Sequence, residues 1–384
     1  MAAESAVRPP ATWTWWREAS GAVGDVGVLV PIAVTLVVSN GLSTTAVLLP
    51  AGLAYLMVAA VYRVPVAVQP LKAFGAVAIA TGAGSDVIAA GALLMGATFV
   101  VLGATGWLDR LARVFPRPVI RGVQLAVGLT FVVIAWRLVT DPPRAFTEQP
   151  PAAVVGVVAL VLVAGMLLVR RTAVLVVVVG AIAVAVALGG WSSGGWGPSG
   201  LELPTLDRAA FATAAVLLVV PQLPLTFTNS CLAPVDAAQA YFGKRAATVT
   251  ASRLALTLGA TNLLVGAIGG MPVCHGAGGM SAHHAAGART WRAPALIGGT
   301  LVVASLVVGA GLTGVLTAFP LPVLAALLAV AGVAHIRLLR DLKGWREWVL
   351  AVVVGVAGVA VNLALAVVAG LFGYALLRRF DRDA

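Results

Sequence analysis

Charge is scarce in this chain of 384 residues: Asp, Glu, Lys and Arg make up 10% of it, against 60% hydrophobic residues. So few charges could not keep a soluble domain of this length in solution, and a mean hydropathy of +1.02 places the chain among polytopic membrane proteins. Cysteine is nearly absent. Cys231 and Cys274 both sit in apolar surroundings, which excludes a disulfide framework and a cysteine-rich metal site. The net charge of +11 comes from basic residues scattered singly and in pairs between apolar runs. It therefore points to anionic headgroups and membrane topology, with the lipid bilayer as partner, and not to nucleic acid. No His-Glu pair or Asp-rich loop of a membrane-embedded enzyme occurs, and no soluble output or regulatory domain is expected after the last apolar run. The first run follows Trp13, Trp15, Trp16, Arg17 and Glu18 without a small-residue cleavage pattern and reads as a retained span.

What is there is a series of apolar runs of spanning or near-spanning length. They cover about 20–38, 43–62, 85–104, 117–139, 152–169, 172–190, 209–230, 246–267, 294–315 and 320–336, with two short spans in 345–377. Two interrupted segments join them, Val64–Gly82 (VPVAVQPLKAFGAVAIATG) and Gly269–Arg289 (GGMPVCHGAGGMSAHHAAGAR). Counted as crossings they bring the total to fourteen membrane elements. With the N-terminus in the cytoplasm and strict alternation, only Arg137, Arg144 and Arg208 fall outside, while Lys72 and Arg253 lie within the membrane. The positive-inside bias thus predicts an even count, both termini cytoplasmic and a cell-membrane location. The connections 140–151 and 191–208 read as interfacial loops, the second anchored by Trp191 and Trp196.

The two interrupted segments are alike. Pro65 and Pro272 are each followed by Val and then a polar turn, and an odd number of elements separates them, so the two copies have opposite orientations. This is an inverted repeat, whose sites lie at the midplane where discontinuous helices meet. The β-branched Val64, Val66 and Val68 around Pro65 favour an extended segment, and Pro70 suits the first turn of a helix. Gly276 and Gly278 let backbone N–H groups approach a ligand. Two half-helices starting near the bilayer centre present unpaired donors and positive dipole ends, which attract an anion.

These residues carry a resemblance. PVAVQPLKAFGAVAIATG and MPVCHGAGGMSAHHAAGAR, with SGAVGDVGVLVP at Ser20–Pro31 and PQLPLTFTNSCLAP at Pro221–Pro234, resemble the molybdate-transporter branch of the sulfate permease (SulP) superfamily. The resemblance implies an all-α fold, a seven-plus-seven inverted repeat shared with nucleobase permeases. It also implies a core domain (1–104 and 191–315), a gate domain (105–190 and 316–384), a homodimer, and oxyanion transport by an elevator-like motion. Molybdate is the first expected substrate and sulfate the second. A nucleobase permease of this fold would need carboxylates in the eighth and tenth elements, where this chain has Asn229 and His275.

The candidate substrate-binding residues are Gln69, Pro70, Leu71 and Lys72 in the first segment, and Cys274, His275, Gly276, Ala277 and Gly278 in the second. Thr226 and Asn229 join them from a polar stripe, with Gln222 and Ser230, on one face of the eighth element. Backbone N–H groups of 275–278 are the preferred donors, because an oxyanion needs donors more than side-chain shape. Lys72 either supplies charge to the oxyanion or its coupling partner, or pairs with Asp25. Asp25, an acid within an apolar span, is a candidate for proton coupling or a fixed structural pair. His275 is either a proton-coupled donor or a capping side chain. His275, His283 and His284 lack the carboxylate or thiolate that would complete a tetrahedral metal set, so neither metal nor cofactor is expected. His283 and His284 are placed toward the inner exit beside Arg289.

Overall fold

A chain surrounded by hydrocarbon must satisfy its backbone polar groups internally, which helices do locally. The computed structural model describes residues 15–22, 26–108, 116–143, 146, 151–168, 172–191 and 195–380, and they are almost entirely helical. The first part comprises α1 (Trp15–Ala22), α2 (Val26–Asn40), α3 (Thr44–Tyr62), β1 (Gln69–Pro70), α4 (Lys72–Thr81) and α5 (Ser85–Thr105). Next come α6 (Arg117–Thr140), α7 (Ala152–Leu168) and α8 (Thr172–Ala185), the last continued by a π turn. The second part runs through α9 (Arg208–Ala246), α10 (Ala251–Ala267), β2 (Val273–Cys274), α11 (Ala277–Ala285) and α12 (Arg292–Val307). The chain then continues through α13 (Gly309–Thr317), α14 (Leu321–Ile336), α15 (Trp345–Ala360) and α16 (Leu363–Phe380).

Among the described residues, α3, α5, α6, α9 and α14 with its following turn are each long and apolar enough to cross a membrane alone, and α12 with α13 makes a sixth as a bent pair. Leu160, Val161, Val176, Leu365 and Phe372 on α7, α8 and α16 are largely exposed, as lipid-facing side chains must be.

Small residues set the helix spacing. A Cβ on Gly259 of α10 would lie 2.6 Å from the backbone nitrogen of Val100 on α5, and one on Gly96 of α5 would lie 2.7 Å from that of Leu263. The α6–α14 pair meets in the same way, with the Gly332 Cβ position 2.6 Å from Gly128 O.

Three expected spans take a different form. The 209–230 run belongs to a helix that continues to Ala246 and contains π-helical turns at Ala215–Val219 and Phe227–Leu232. Pro221, Pro224 and Pro234 remove backbone donors there and push the helix out of register. The 294–315 run breaks at Val308, where α12 and α13 diverge by 94°. The connection expected to be an ordinary loop enters that break: Gly197 N donates to Val307 O at 2.7 Å and Ala310 N to Gly197 O at 3.0 Å. The first run is divided between α1 and α2, and Asp25 lies outside the described residues.

Candidate functional site

After the αL cap at Arg63 the chain runs extended and fully buried from Val64 to Val68, as its valines and Pro65 dictate. It meets the second interrupted segment in an antiparallel pair, with Gln69 opposite Cys274 and Pro70 opposite Val273. Leu71 N donates to Pro272 O at 2.9 Å, and the Cys274 thiol points to Pro70 O at 3.6 Å. Pro70, Leu71 and Cys274 thus hold the two segments together. The half-helices α4 and α11 start from this pair, so their N-terminal dipole ends belong to one site.

The two ends differ in how many donors remain open. On α11 the cap is Gly276, which offers no side-chain hydrogen bond, and the N–H groups of Ala277, Gly278 and Gly279 donate to no described group. Gly278 is exposed. On α4 the cap is Leu71, equally without a side-chain bond, but the third amide, Phe74 N, donates to Gln222 Oε1 of α9 at 2.9 Å. Gln222 Nε2 in turn donates to Thr226 Oγ1 at 2.9 Å, and Thr226 Oγ1 donates to Gln222 O at 3.1 Å. The α4 end is therefore partly capped from another element, and α11 carries the larger set of free donors.

Lys72 supplies the positive charge. Its Nζ donates to Gln69 Oε1 at 2.7 Å, and among the described residues no carboxylate lies within 4 Å of it. Gln69 and Lys72 both lie over Gly276: a Cβ there would be 1.9 Å from Gln69 Oε1 and 3.2 Å from Lys72 Nζ. The glycine is required by close approach, since its φ of −76° is open to any residue. Gln69, Lys72, Gly276, Ala277 and Gly278 are thus brought to one place. Asn229 is half-buried on α9 and hydrogen-bonds to no described residue. Thr226 is fully buried with its hydroxyl engaged, so it stands behind Gln222.

His275 belongs to this turn by its backbone, while its ring enters the protein. A carbonyl can only accept, so Nδ1–H donates to Ala67 O at 3.2 Å and in the neutral ring Nε2 accepts from Thr257 Oγ1 at 2.9 Å. Thr257 also pairs with the Tyr62 hydroxyl at 2.7 Å. The imidazole is 1% exposed, and both nitrogens are occupied in tying the two interrupted segments to α10 and α3. His283 is buried with Nδ1–H donating to Gly21 O at 2.6 Å, and His284 stacks on Tyr241 with ring centroids 4.3 Å apart.

Asn262 of α10 was not anticipated. Its Nδ2 donates to Val273 O at 2.7 Å and its Oδ1 accepts from Val273 N at 2.9 Å, so one side chain satisfies both polar groups on the free edge of β2. The signal was a lone amide within an apolar span, three residues after a glycine that packs on α5. His335 of α14 also went unremarked; it is 7% exposed.

The sequence matches the family described as "Molybdate transporter of MFS superfamily" over residues 17–131 and 214–334, more than half of the chain. It is 29% identical to molybdate transporter 1 of Arabidopsis thaliana over 353 residues, covering 81% of this chain and 77% of that protein. Against molybdate transporter 1 of Chlamydomonas reinhardtii it is 30% identical, covering 83% of each. The fold is similar to the transmembrane domain of the cyanobacterial bicarbonate transporter BicA, at a TM-score of 0.65 and 16% identity, covering 93% of this chain and 96% of that one. It is also similar to the murine anion transporter Slc26a9 in its inward-facing state, at a TM-score of 0.68 and 14% identity, covering 97% and 70%. The fold is thus that of the SulP-type anion transporters, and the chain belongs to the molybdate transporter family.

Proposed function

We propose that this protein is a secondary active transporter that imports a tetrahedral oxyanion, molybdate before sulfate, across the cell membrane with both termini cytoplasmic. The dianion sits at the N-terminus of α11, bound by the amides of Ala277, Gly278 and Gly279, the Lys72 ammonium, and amide groups of Gln69 and Asn229. The observation that carries this reading is the coincidence of three backbone amides that donate to no described group with a lysine that has no carboxylate within 4 Å among the described residues, beside a glycine whose missing Cβ admits both side chains. The names of the curated relatives support molybdate over other oxyanions.

In this reading α1–α5 and α9–α13 form a core domain that carries the site, and α6–α8 and α14–α16 form a gate domain against which it slides. Import against a negative-inside potential costs about 2.3 kcal/mol per charge at 100 mV, so roughly twice that for a dianion. Proton coupling offsets this cost. The test is uptake of labelled molybdate into proteoliposomes, with and without an inward proton gradient, in competition with tungstate, sulfate and uracil. Gradient-stimulated uptake blocked by tungstate is expected. Block by uracil alone would assign a nucleobase permease instead, and uptake indifferent to the gradient would remove the coupling.

A further inference from the structure

The turn after α11 gathers three arginines at one end of the proposed core domain. Arg17 of α1 lies against Gly287, where a Cβ would stand 3.1 Å from Arg17 O and 3.5 Å from Arg17 Cβ. With φ at +114°, the glycine also takes a backbone conformation that side chains disfavour. Arg245, from the last turn of α9, donates from Nη2 to Arg289 O at 2.9 Å. Arg289 closes the turn: its Nη1 donates to Ala288 O at 2.8 Å and to His284 O, the latter at the end of α11. Side chains from α1, α9 and the turn thus converge.

One acid belongs to this cluster, and it is turned inward. Glu18 is 4% exposed, and its carboxylate accepts from the backbone N–H groups of Arg289 at 3.1 Å and Thr290 at 3.4 Å. Neither the Arg17 nor the Arg289 guanidinium comes within 4 Å of it. Arg17 is exposed and its side chain bonds to no described residue, and Nε and Nη2 of Arg289 donate to none. Three positive charges and one negative leave the cluster at +2. Like charges held together repel, and an anion placed among them reverses the sign of that interaction.

The depth of the cluster identifies the anion. Trp15, two residues before Arg17, is 62% exposed, and Trp291, two residues after Arg289, is 45% exposed. Large aromatics left open beside basic residues mark the headgroup level of a bilayer, where the polar and apolar parts of an indole meet different media. The oxyanion cradle is remote, since the nine residues of α11 span about 13 Å. We propose that Arg17, Arg245 and Arg289 bind the phosphate of an anionic phospholipid in the inner leaflet, with Trp15 and Trp291 against its glycerol and upper acyl chains. The choice of leaflet follows the orientation proposed above, while the site itself is independent of the transported ion. A guanidinium fork matches two phosphate oxygens at once. The lipid thereby ties α1 and the end of α9 to the turn that follows α11.

The test is thermal unfolding of the purified protein in neutral maltoside micelles doped with phosphatidylglycerol over a series of lipid fractions. Phosphatidylglycerol is expected to raise the thermal midpoint, and phosphatidylcholine, whose headgroup carries no net charge, to leave it unchanged. Arg17→Gln and Arg289→Gln should each move the half-effect to a phosphatidylglycerol fraction about 5-fold higher, the factor equivalent to about 1 kcal/mol per basic residue at an anionic surface. Lys343→Gln removes the same charge from an exposed site in the proposed gate domain and should shift nothing. Because the Arg17 side chain bonds to no described residue, its variant is expected to fold, and it decides the matter alone should Arg289→Gln not. No rise with phosphatidylglycerol, or an equal rise with phosphatidylcholine, overturns the inference. So does an unshifted titration in Arg17→Gln, or an equal shift in Lys343→Gln. Glycerol 3-phosphate at the same phosphate concentration supplies the headgroup without chains; a full effect from it would assign the cluster to a soluble phosphate and overturn the lipid site.

Discussion

The side-chain oxygen of Gln69 occupies the space that a Cβ on Gly276 would need; the two would stand 1.9 Å apart. Since Gln69 also anchors Lys72 Nζ at 2.7 Å, any residue but glycine displaces the amide and the ammonium together. Gly276→Ala is expected to fold, because its backbone is unstrained, and to bind molybdate about 10-fold more weakly, equivalent to about 1.4 kcal/mol. Calorimetry with molybdate checks this. An alanine variant of wild-type affinity would place the anion elsewhere.

Lys72 carries the charge of the proposed anion cradle, and a hydrogen bond to a charged group contributes roughly 1.5–3 kcal/mol. Lys72→Gln is therefore expected to raise the molybdate Kd by roughly 10- to 150-fold. Lys72→Arg should not restore it. The planar fork of the guanidinium needs more room and another geometry than a compact ammonium, and the space between Gln69 and Gly276 is already filled. Full rescue by arginine would show that only charge matters there.

The His275 side chain acts as a tie. Removing it in His275→Ala leaves the buried Ala67 carbonyl without its partner and frees Thr257, a loss of roughly 1–3 kcal/mol of stability, read as a lower thermal midpoint in detergent. The folded fraction should still take up a proton with molybdate, since neither nitrogen of His275 faces the cradle. Loss of proton uptake without loss of stability would return the coupling role to this residue.

Much of this architecture was legible because bilayer physics is severe. Low charge and long apolar runs define the membrane fold, and the paired Pro-Val turns at Pro65 and Pro272 mark the two half-helices, since polarity at that depth requires a reason. The antiparallel pairing of Gln69 with Cys274 was not read there, although an extended stretch before the first half-helix was. Side-chain direction was not legible. A histidine in a polar turn reads as a ligand, yet the His275 ring enters the protein and binds Ala67 O and Thr257. Thr226 shares a helical face with Asn229, but the π turns forced by the prolines of α9 turn that stripe so that Gln222 caps Phe74 and Thr226 backs Gln222. Nor could the break at Val308 be read, because it depends on a distant loop at Gly195–Gly197 supplying backbone partners.

The two amides that reach into the interrupted segments give a graded stability test. Gln222 satisfies one backbone donor, Phe74 N. Asn262 satisfies both the N–H and the C=O of Val273, in a fully buried segment with no sheet partner on that edge. Each buried group left unpaired costs roughly 1–3 kcal/mol. Gln222→Leu should therefore lower stability by about that much, and Asn262→Leu by roughly twice as much, a large share of the about 5–15 kcal/mol that typically separates folded from unfolded states. Asn262→Asp is expected to be no better, because a carboxylate cannot donate to Val273 O and adds a buried charge. Thermal unfolding of the three variants in one detergent gives the order. Gln222→Leu proving the most destabilised would mean that α4, and not β2, is the segment whose position depends most on a borrowed side chain.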